Sequence, residues 1–293
     1  MRPLLALALL SLTAATHAPV TPTSIVASAP SSAWRAISPD DLLVIDLKNG
    51  RRVIIQLAPR FAPVHVANIR ALARASWWDG ATVYRVQDNY VVQWGHNEGT
   101  APLPANVVAK PPGEYWRRAA GLKIHPLGYR DSYAPKVGFA DGWPVALDRA
   151  GKTAALTHCY GFVGVGRDLY PDTGTGGELY AVIGNAPRPL DRNIAVVGRV
   201  IEGIDAFSAL PRGTGDLGFY TDHAEEVPIA RVRLASSLAT VDQPSFQYLD
   251  TNSASFARYV HARANRKDEF FECPAGGVDI CNVPVPIRRT PAR

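Results

Sequence analysis

The residues of this chain that could ligate a metal, attack a bond or carry a proton are scattered rather than grouped. His17, His65, His96, His125, His158, His223 and His261 show no His-x-x-x-His or His-Glu-x-x-His spacing, the patterns that aim two imidazoles at one zinc ion. Cys159 stands alone, and Cys273 and Cys281 are eight residues apart with no Cys-x-x-Cys or histidine pair nearby, so no metal site is expected. No Gly-x-Ser-x-Gly turn is present to expose a nucleophilic serine. Gly164-Val165-Gly166 and Gly174-Thr175-Gly176-Gly177 neither complete Gly-x-Gly-x-x-Gly nor lead into Gly-Lys-Ser/Thr, so they read as turn glycines and not as a phosphate cradle. The carboxylates repeat no motif that a glycosidase or lectin reading would need. None of these patterns points to a metal, a cofactor or an activated nucleophile, and none of the three is expected.

The compartment follows from the N-terminus. Met1-Arg2-Pro3, the apolar run Leu4–Leu12 and the small residues ending at Ala18 have the order of a secretory signal peptide. The run is shorter than the ~20 residues of a membrane span, and no later stretch is longer. Residues 1–18 are therefore expected to be a cleaved signal, residues 19–40 a loose linker rich in Pro, Thr, Ser and Ala, and the mature protein to be exported to the periplasm. There, paired thiols persist as disulfides. Cys273 and Cys281 bracket a segment whose Gly276-Gly277 permits a chain reversal, so they are expected to pair. The small loop they close is worth roughly 2.6 kcal/mol in the chain-entropy account. Cys159 is then expected as a buried, inert thiol. The hydrophobic fraction is 47% against 19% charged, which supports a packed core and excludes a disordered chain. The net charge of +5 is not concentrated in any run, so no nucleic-acid partner is expected.

The elements that must position any site are short. Leu42–Leu47 and Val53–Leu57 are β-rich runs joined through Asn49-Gly50, a strong hairpin signal. Residues 63–75 place Val66, Ile69, Leu72 and Ala73 at helical spacing behind Pro63 in the first turn. Thr82–Val86 and Tyr90–Trp94 form a second strand pair. From 97 to about 152 the periodicity dissolves into Pro-, Gly- and aromatic-rich loops. Strands resume at 154–157, 161–165, 178–183 and 194–200, followed by a short helix over 204–210 and an alternating strand over 227–234. This order predicts a mainly β fold, a closed antiparallel barrel with helices at its ends. One amphipathic helix, carrying Phe256, Tyr259, Val260 and Ala264 behind Ser253 and Ser255, is expected in the C-terminal appendix.

The stretch VIIQLAPRFAPVHVANIRALARASWWDGATVYRVQDNYVVQWG (53–95) resembles the cyclophilin-type peptidyl-prolyl isomerases. Pro59, Ala62-Pro63, Val66, Asn68, Gly80, Tyr84-Arg85-Val86, Tyr90, Gln93 and Gly95 match the family pattern in register. A second block, GGELYAVIGNAPRPLDRNIAVVGRVIEGIDAFSAL (176–210), is similar to the family's later motif. The resemblance covers roughly 41–236 and implies an eight-stranded barrel capped by two helices, with an enlarged insertion over 97–155 and an extension over 237–293. It implies isomerisation of X-Pro bonds in proline-containing polypeptides. Arg85 matches the catalytic arginine, and Gln93, in the paired strand, can face it. Tyr90, Val91, Tyr180 and Leu190 match the proline pocket, and Gly166 falls where a small residue meets the peptide backbone.

Some residues depart from the family. Glu178 stands where Gln is usual, and its carboxylate is expected either to orient Arg85 or to tie it up in an ion pair. Pro189 replaces the Trp typical of cyclosporin-binding members, and Ile194 replaces the pocket His. Trp94 is expected to crowd the pocket edge. A degraded pocket would give a second reading, a catalytically weak cyclophilin-like binding module or chaperone for unfolded or Pro-containing chains.

Overall fold

The computed structural model describes residues 21–96 and 101–291; the expected signal peptide lies outside them. The described chain enters through helix α1 (Pro22–Ala27) and strand β1 (Trp34–Ala36). It then forms β2 (Leu42–Leu47), β3 (Arg52–Leu57), α2 (Pro63–Arg74), β4 (Thr82–Val86) and β5 (Val91–Gly95). An inserted sheet follows, with β6 (Arg117–Arg118), β7 (Ile124–Pro126), β8 (Lys136–Ala140), β9 (Trp143–Leu147) and β10 (Thr153–Leu156). The main fold resumes with β11 (Phe162–Val165), β12 (Leu179–Val182), β13 (Val196–Glu202), α3 (Ile204–Ser208) and β14 (Val227–Leu234). The C-terminal segment adds β15 (Phe246–Leu249), α4 (Ala254–Ala264) and β16 (Ile287–Arg289).

Eight of these strands close a barrel in the order β11-β12-β5-β4-β14-β2-β3-β13. Every pairing in it is antiparallel. Alternation along each strand sends one set of side chains inward. Val92 and Trp94 of β5, Val163 and Val165 of β11, and Leu179 and Ala181 of β12 fill the interior, sealed by Ile69 and Leu72 of α2 and Phe207 of α3. The predicted barrel with its two helices is what forms, and the Asn49-Gly50 hairpin joins β2 to β3.

Helix α2 shows how the insertion supports this body. Its N-cap residue, Ala62, offers no side-chain acceptor to the first free N–H groups. Glu114 supplies both: Oε1 accepts from the Val64 N–H and Oε2 from the His65 N–H, each at 2.9 Å. Burial works against the Glu114 charge, but these bonds and the His65 ring hold its carboxyl below the ordinary value. Asn68 binds the insertion as well, donating to the Val108 and Thr175 carbonyls and accepting from the Val108 N–H.

Three expectations are corrected here. Residues 101–155 are not loop throughout. Between their loops five short strands form one sheet, ordered β6-β10-β9-β8-β7. Its central hairpin turns at Asp141-Gly142, both at positive φ, a two-residue turn signal flanked by strands buried on both faces and therefore without alternation. Residues 21–40 are not a loose linker: α1 starts at a Thr21/Ser24 capping box, and β1 pairs with β15, which pairs in turn with β16. Helix α4 forms behind Ser253 as expected, yet the C-terminal segment buries a substantial core. Ile25 and Trp34, Phe139 from the insertion, and Phe256, Ile280 and Val285 pack as one cluster, so three distant segments build one second body.

The expected Cys273–Cys281 bridge is also corrected. Cys281 is bonded to Cys159, with Cα atoms 5.1 Å apart, and Cys273 is an exposed free thiol. Packing of the C-terminal segment against the barrel brings together cysteines 122 residues apart. Closing so long a loop is worth about 5 kcal/mol in the chain-entropy account, against the far smaller value for the local pair. Alkylation under non-reducing conditions followed by mass analysis is therefore expected to label Cys273 alone. Cys281→Ser is expected to lower the melting temperature markedly, while Cys273→Ser leaves it unchanged.

Candidate active site

A barrel interior filled by side chains leaves its outer face for a site. On β5, Val91 and Gln93 point outward, and on β12 Tyr180 and Val182 do the same. Strand β4 is irregular: its register to β5 shifts between Val83 and Arg85. Val83 and Val86 both face the interior, so this bulge turns the two residues between them, Tyr84 and Arg85, to the outside together. Tyr84, Arg85, Val91, Gln93 and Tyr180 line a cavity of about 500 Å³, within the range typical of ligand sites. Arg85, Gln93, Tyr90, Val91, Gly166, Glu178, Tyr180 and Leu190 all line it.

The Arg85 guanidinium is fixed from three sides. Nη1 donates to Gln93 Oε1 at 3.0 Å, Nε to the Leu217 carbonyl at 2.8 Å, and Nη2 to Gln87 Oε1. The Phe219 and Tyr90 rings lie 5.1 and 5.8 Å from its central carbon. A guanidinium has five N–H bonds, so two remain without a protein acceptor among the described residues. Partial burial lowers its pKa, yet an arginine keeps its charge at neutral pH.

Glu178 forms no ion pair with Arg85. Its Oε2 accepts from the Tyr84 hydroxyl at 2.7 Å and from Gln93 Nε2 at 3.2 Å, and Gln93 Nε2 also lies 2.7 Å from the Tyr84 oxygen. A carboxylate only accepts, so it forces the amide nitrogen of Gln93 toward itself and the amide oxygen toward Arg85. Glu178 thus orients Arg85 through Gln93. Burial, with the Glu178 charge beside it, pushes the Tyr84 phenol well above its ordinary pKa, so Tyr84 stays a donor. Gly166 gives this group room: a Cβ there would stand 3.0 Å from Glu178 Cβ and 3.2 Å from Gln93 Nε2.

The apolar end of the cavity holds Val91 and Tyr180, with Tyr90, Leu190 and Ile194 packed against them, and the buried Val182 completes the same cluster behind. Tyr180 lies flat across Gly164, where a Cβ would come within 2.2 Å of its hydroxyl oxygen. That hydroxyl is 3.0 Å from His158 Nε2, and His158 Nδ1 is 3.0 Å from Asp191 Oδ1. Asp191 also accepts from Arg188 Nε at 2.5 Å, and Arg188 donates to both oxygens of Asp131 at 2.9 and 3.1 Å. A buried polar chain therefore runs from Asp131 in the insertion to the pocket floor. Trp94 does not crowd the pocket. It points into the barrel and packs on Phe207 with ring centroids 5.0 Å apart.

Sequence reasoning missed Tyr84, Gln87, Leu217, Phe219 and the Asp131–Arg188–Asp191–His158 chain. Tyr84 sat inside the matched motif, but strand alternation would have turned it away from Arg85; only the bulge reverses that. Phe219 carried no signal, because its position depends on a loop paired with β4.

The buried network yields a prediction. Burial alone would raise the Asp131 pKa, but hydrogen bonds from Arg188 and from the Tyr133 and Ala134 N–H groups hold it below its ordinary value. Asp131→Asn is expected to cost about 3 kcal/mol near neutrality by weakening the pairing of a buried cation. Because the folded-state pKa is lowered, the Asp131 contribution is complete above the unfolded value of ~3.9 and is lost as pH falls through the folded value. Urea unfolding of both proteins across pH 7 to 3 checks this, with the gap between them narrowing at the acid end.

Residues 42–236 match the family model for cyclophilin type peptidyl-prolyl cis-trans isomerase/CLD. A probable peptidyl-prolyl cis-trans isomerase of Brucella suis is 23% identical over 179 residues, 61% of this chain and 76% of its own length. The corresponding protein of Brucella abortus is 22% identical over the same extent. The crystal structure of cyclophilin AquaCyp293 from Hirschia baltica is similar with a TM-score of 0.71 at 23% identity, covering 92% of this chain and 97% of that one. This likeness of fold reaches beyond the barrel into the added segments. The matched segment, the closed barrel and the outward-facing arginine cavity together show that this chain belongs to the cyclophilin-type peptidyl-prolyl cis-trans isomerases.

Proposed function

We propose that the cavity binds an X-Pro segment with the proline ring against Val91, Tyr180, Leu190 and Ile194 and the prolyl amide beside Arg85. Rotation about this amide meets a barrier of ~18–20 kcal/mol, because resonance is lost when the bond twists. The twisted prolyl nitrogen becomes pyramidal and basic. A cationic donor held there stabilises the twisted state more than either planar isomer, and only that difference accelerates the reaction. The two N–H bonds that Arg85 retains beyond its ties to Gln93, Gln87 and Leu217 supply this donor, and Gln93, oriented by Glu178, keeps it aimed. Tyr90 borders the proline, and Gly166 admits the peptide backbone.

The carrying observation is the Arg85–Gln93–Glu178 arrangement beside an apolar floor. It favours catalysis over the weak binding-module reading, because nothing ties up the guanidinium in an ion pair. An N-terminus with signal-peptide order and the Cys159–Cys281 bond support a role in folding exported, periplasmic proteins. A protease-coupled assay on Pro-containing tetrapeptides tests the reading. Wild type is expected to accelerate exchange, and Arg85→Ala to lose activity by on the order of 10²-fold with an unchanged melting temperature. Absence of acceleration by wild type on any such peptide would overturn it.

A second expectation concerns cyclosporin. Pro189, in the turn Arg188–Leu190 at the cavity edge, cannot donate the indole N–H that family members with Trp offer there. Inhibition by cyclosporin in the same assay is expected to be absent below micromolar concentrations.

A further inference from the structure

A second cavity of about 620 Å³ lies between the barrel and the second body, and no residue lines both it and the isomerase cavity. Its walls are apolar, including Val26 of α1, Phe162 and Ile201 of the barrel, and Val285, and the Cys159–Cys281 bond holds two of them together. The charged residues lining it are Arg199 and Arg263, with no aspartate or glutamate among the lining residues.

Arg199 is the unusual member. It is only 5% exposed, as deeply buried in kind as Arg188 at 2%. Arg188 is neutralised by two carboxylates, Asp131 and Asp191. Arg199 has none among the described residues: Nε and Nη2 donate to Gln56 Oε1, Nη1 donates to the Gly142 carbonyl, and Trp143 covers its face at 4.4 Å. Two N–H bonds are left over, and burial without a counter-charge lowers its pKa to about 9. It still carries its charge at neutral pH, and a buried charge without an opposite partner is costly. Arg263, at the exposed side of the cavity, bonds only the Asn282 carbonyl among the described residues.

We propose that this cavity binds a long-chain alkyl carboxylate, its head group on Arg199 and its single tail along the apolar walls. One buried guanidinium with two N–H bonds to spare matches a monoanionic carboxylate, which accepts two parallel bonds. The volume suits one chain, within the ~300–1,000 Å³ of small-molecule sites. The missing counter-charge of the fold is then supplied by the ligand.

Isothermal titration of the purified protein with laurate tests this, with dodecanol and dodecyltrimethylammonium as probes of the same tail. One equivalent of laurate is expected to bind, with the alcohol at least ten-fold weaker and the cation not at all. Arg199→Gln is expected to weaken laurate binding at least ten-fold, and Val26→Trp, which fills the cavity from the half-buried face of α1, to abolish it. Arg85→Ala is expected to leave binding unchanged, which separates this cavity from the isomerase site. If Arg199→Gln does not fold, Val26→Trp and the three head groups decide. No binding of laurate, equal binding of the cation or the alcohol, or loss of binding in Arg85→Ala would overturn the proposal.

Discussion

An eight-stranded barrel has an interior just wide enough to be filled by its own side chains, and every other feature of this protein answers to that constraint. Trp94, Phe207 and the aliphatic residues around them leave no room inside for a substrate. Chemistry must therefore be built on the outside, where a strand alone offers only a flat face. The bulge in β4 is what makes such a face usable, since it places Tyr84 and Arg85 side by side beyond the barrel wall. Loops supply the remaining walls: Arg167–Thr175 on one side, Leu217–Phe219 on another, and Leu190–Ile194 at the apolar end.

The proposed site immobilises a charge and does not change it. Each of three side-chain or backbone acceptors takes one Arg85 N–H, and two are left over. The substitution of Glu for the usual Gln at position 178 strengthens this order. Arg85, which only donates, already requires the Gln93 oxygen, and a carboxylate at 178, which only accepts, requires the Gln93 nitrogen, so both neighbours hold the amide in one orientation. The departure that first looked like a threat to the arginine is a lock on its support.

The second body is joined to the barrel by polar and covalent ties that are all non-local. Glu114 caps α2, the Asp131–Arg188–Asp191 chain runs under the pocket, and Cys159–Cys281 anchors the C-terminal segment. Its core draws on the N-terminal segment, the insertion and the C-terminal extension together. Each of the three contributes only part of that core, so its pattern in isolation resembles a linker, a loop or an appendix. Arg188 and Arg199 mark two solutions to burying a cation in this junction. One is paired within the chain and the other is not.

What the sequence by itself determined were the features carried by local period and turn chemistry. Most barrel strands are short β-rich apolar runs bounded by turn residues, β14 alternates, and the Asn49-Gly50 turn and the Pro63 helix start follow from backbone geometry. Arg85, Gln93, Tyr90, Val91, Gly166, Glu178, Tyr180 and Leu190 were legible through spacing shared with the family, whereas Tyr84, Leu217 and Phe219, which line the same cavity, were not. Tertiary structure alone decided the rest. Strands β8 and β9 contain Gly138 and Pro144, residues that locally read as loop and are held in strands here by burial on both faces, and only the Asp141-Gly142 turn marks them. The disulfide partner of Cys281 was decided by packing across 122 residues and not by its near neighbour Cys273. The bulge that turns Tyr84 toward Arg85 breaks the period of two from which sequence reading starts. For the disulfide and the second body the deciding energy comes from contacts between segments far apart in the chain, which no local pattern encodes.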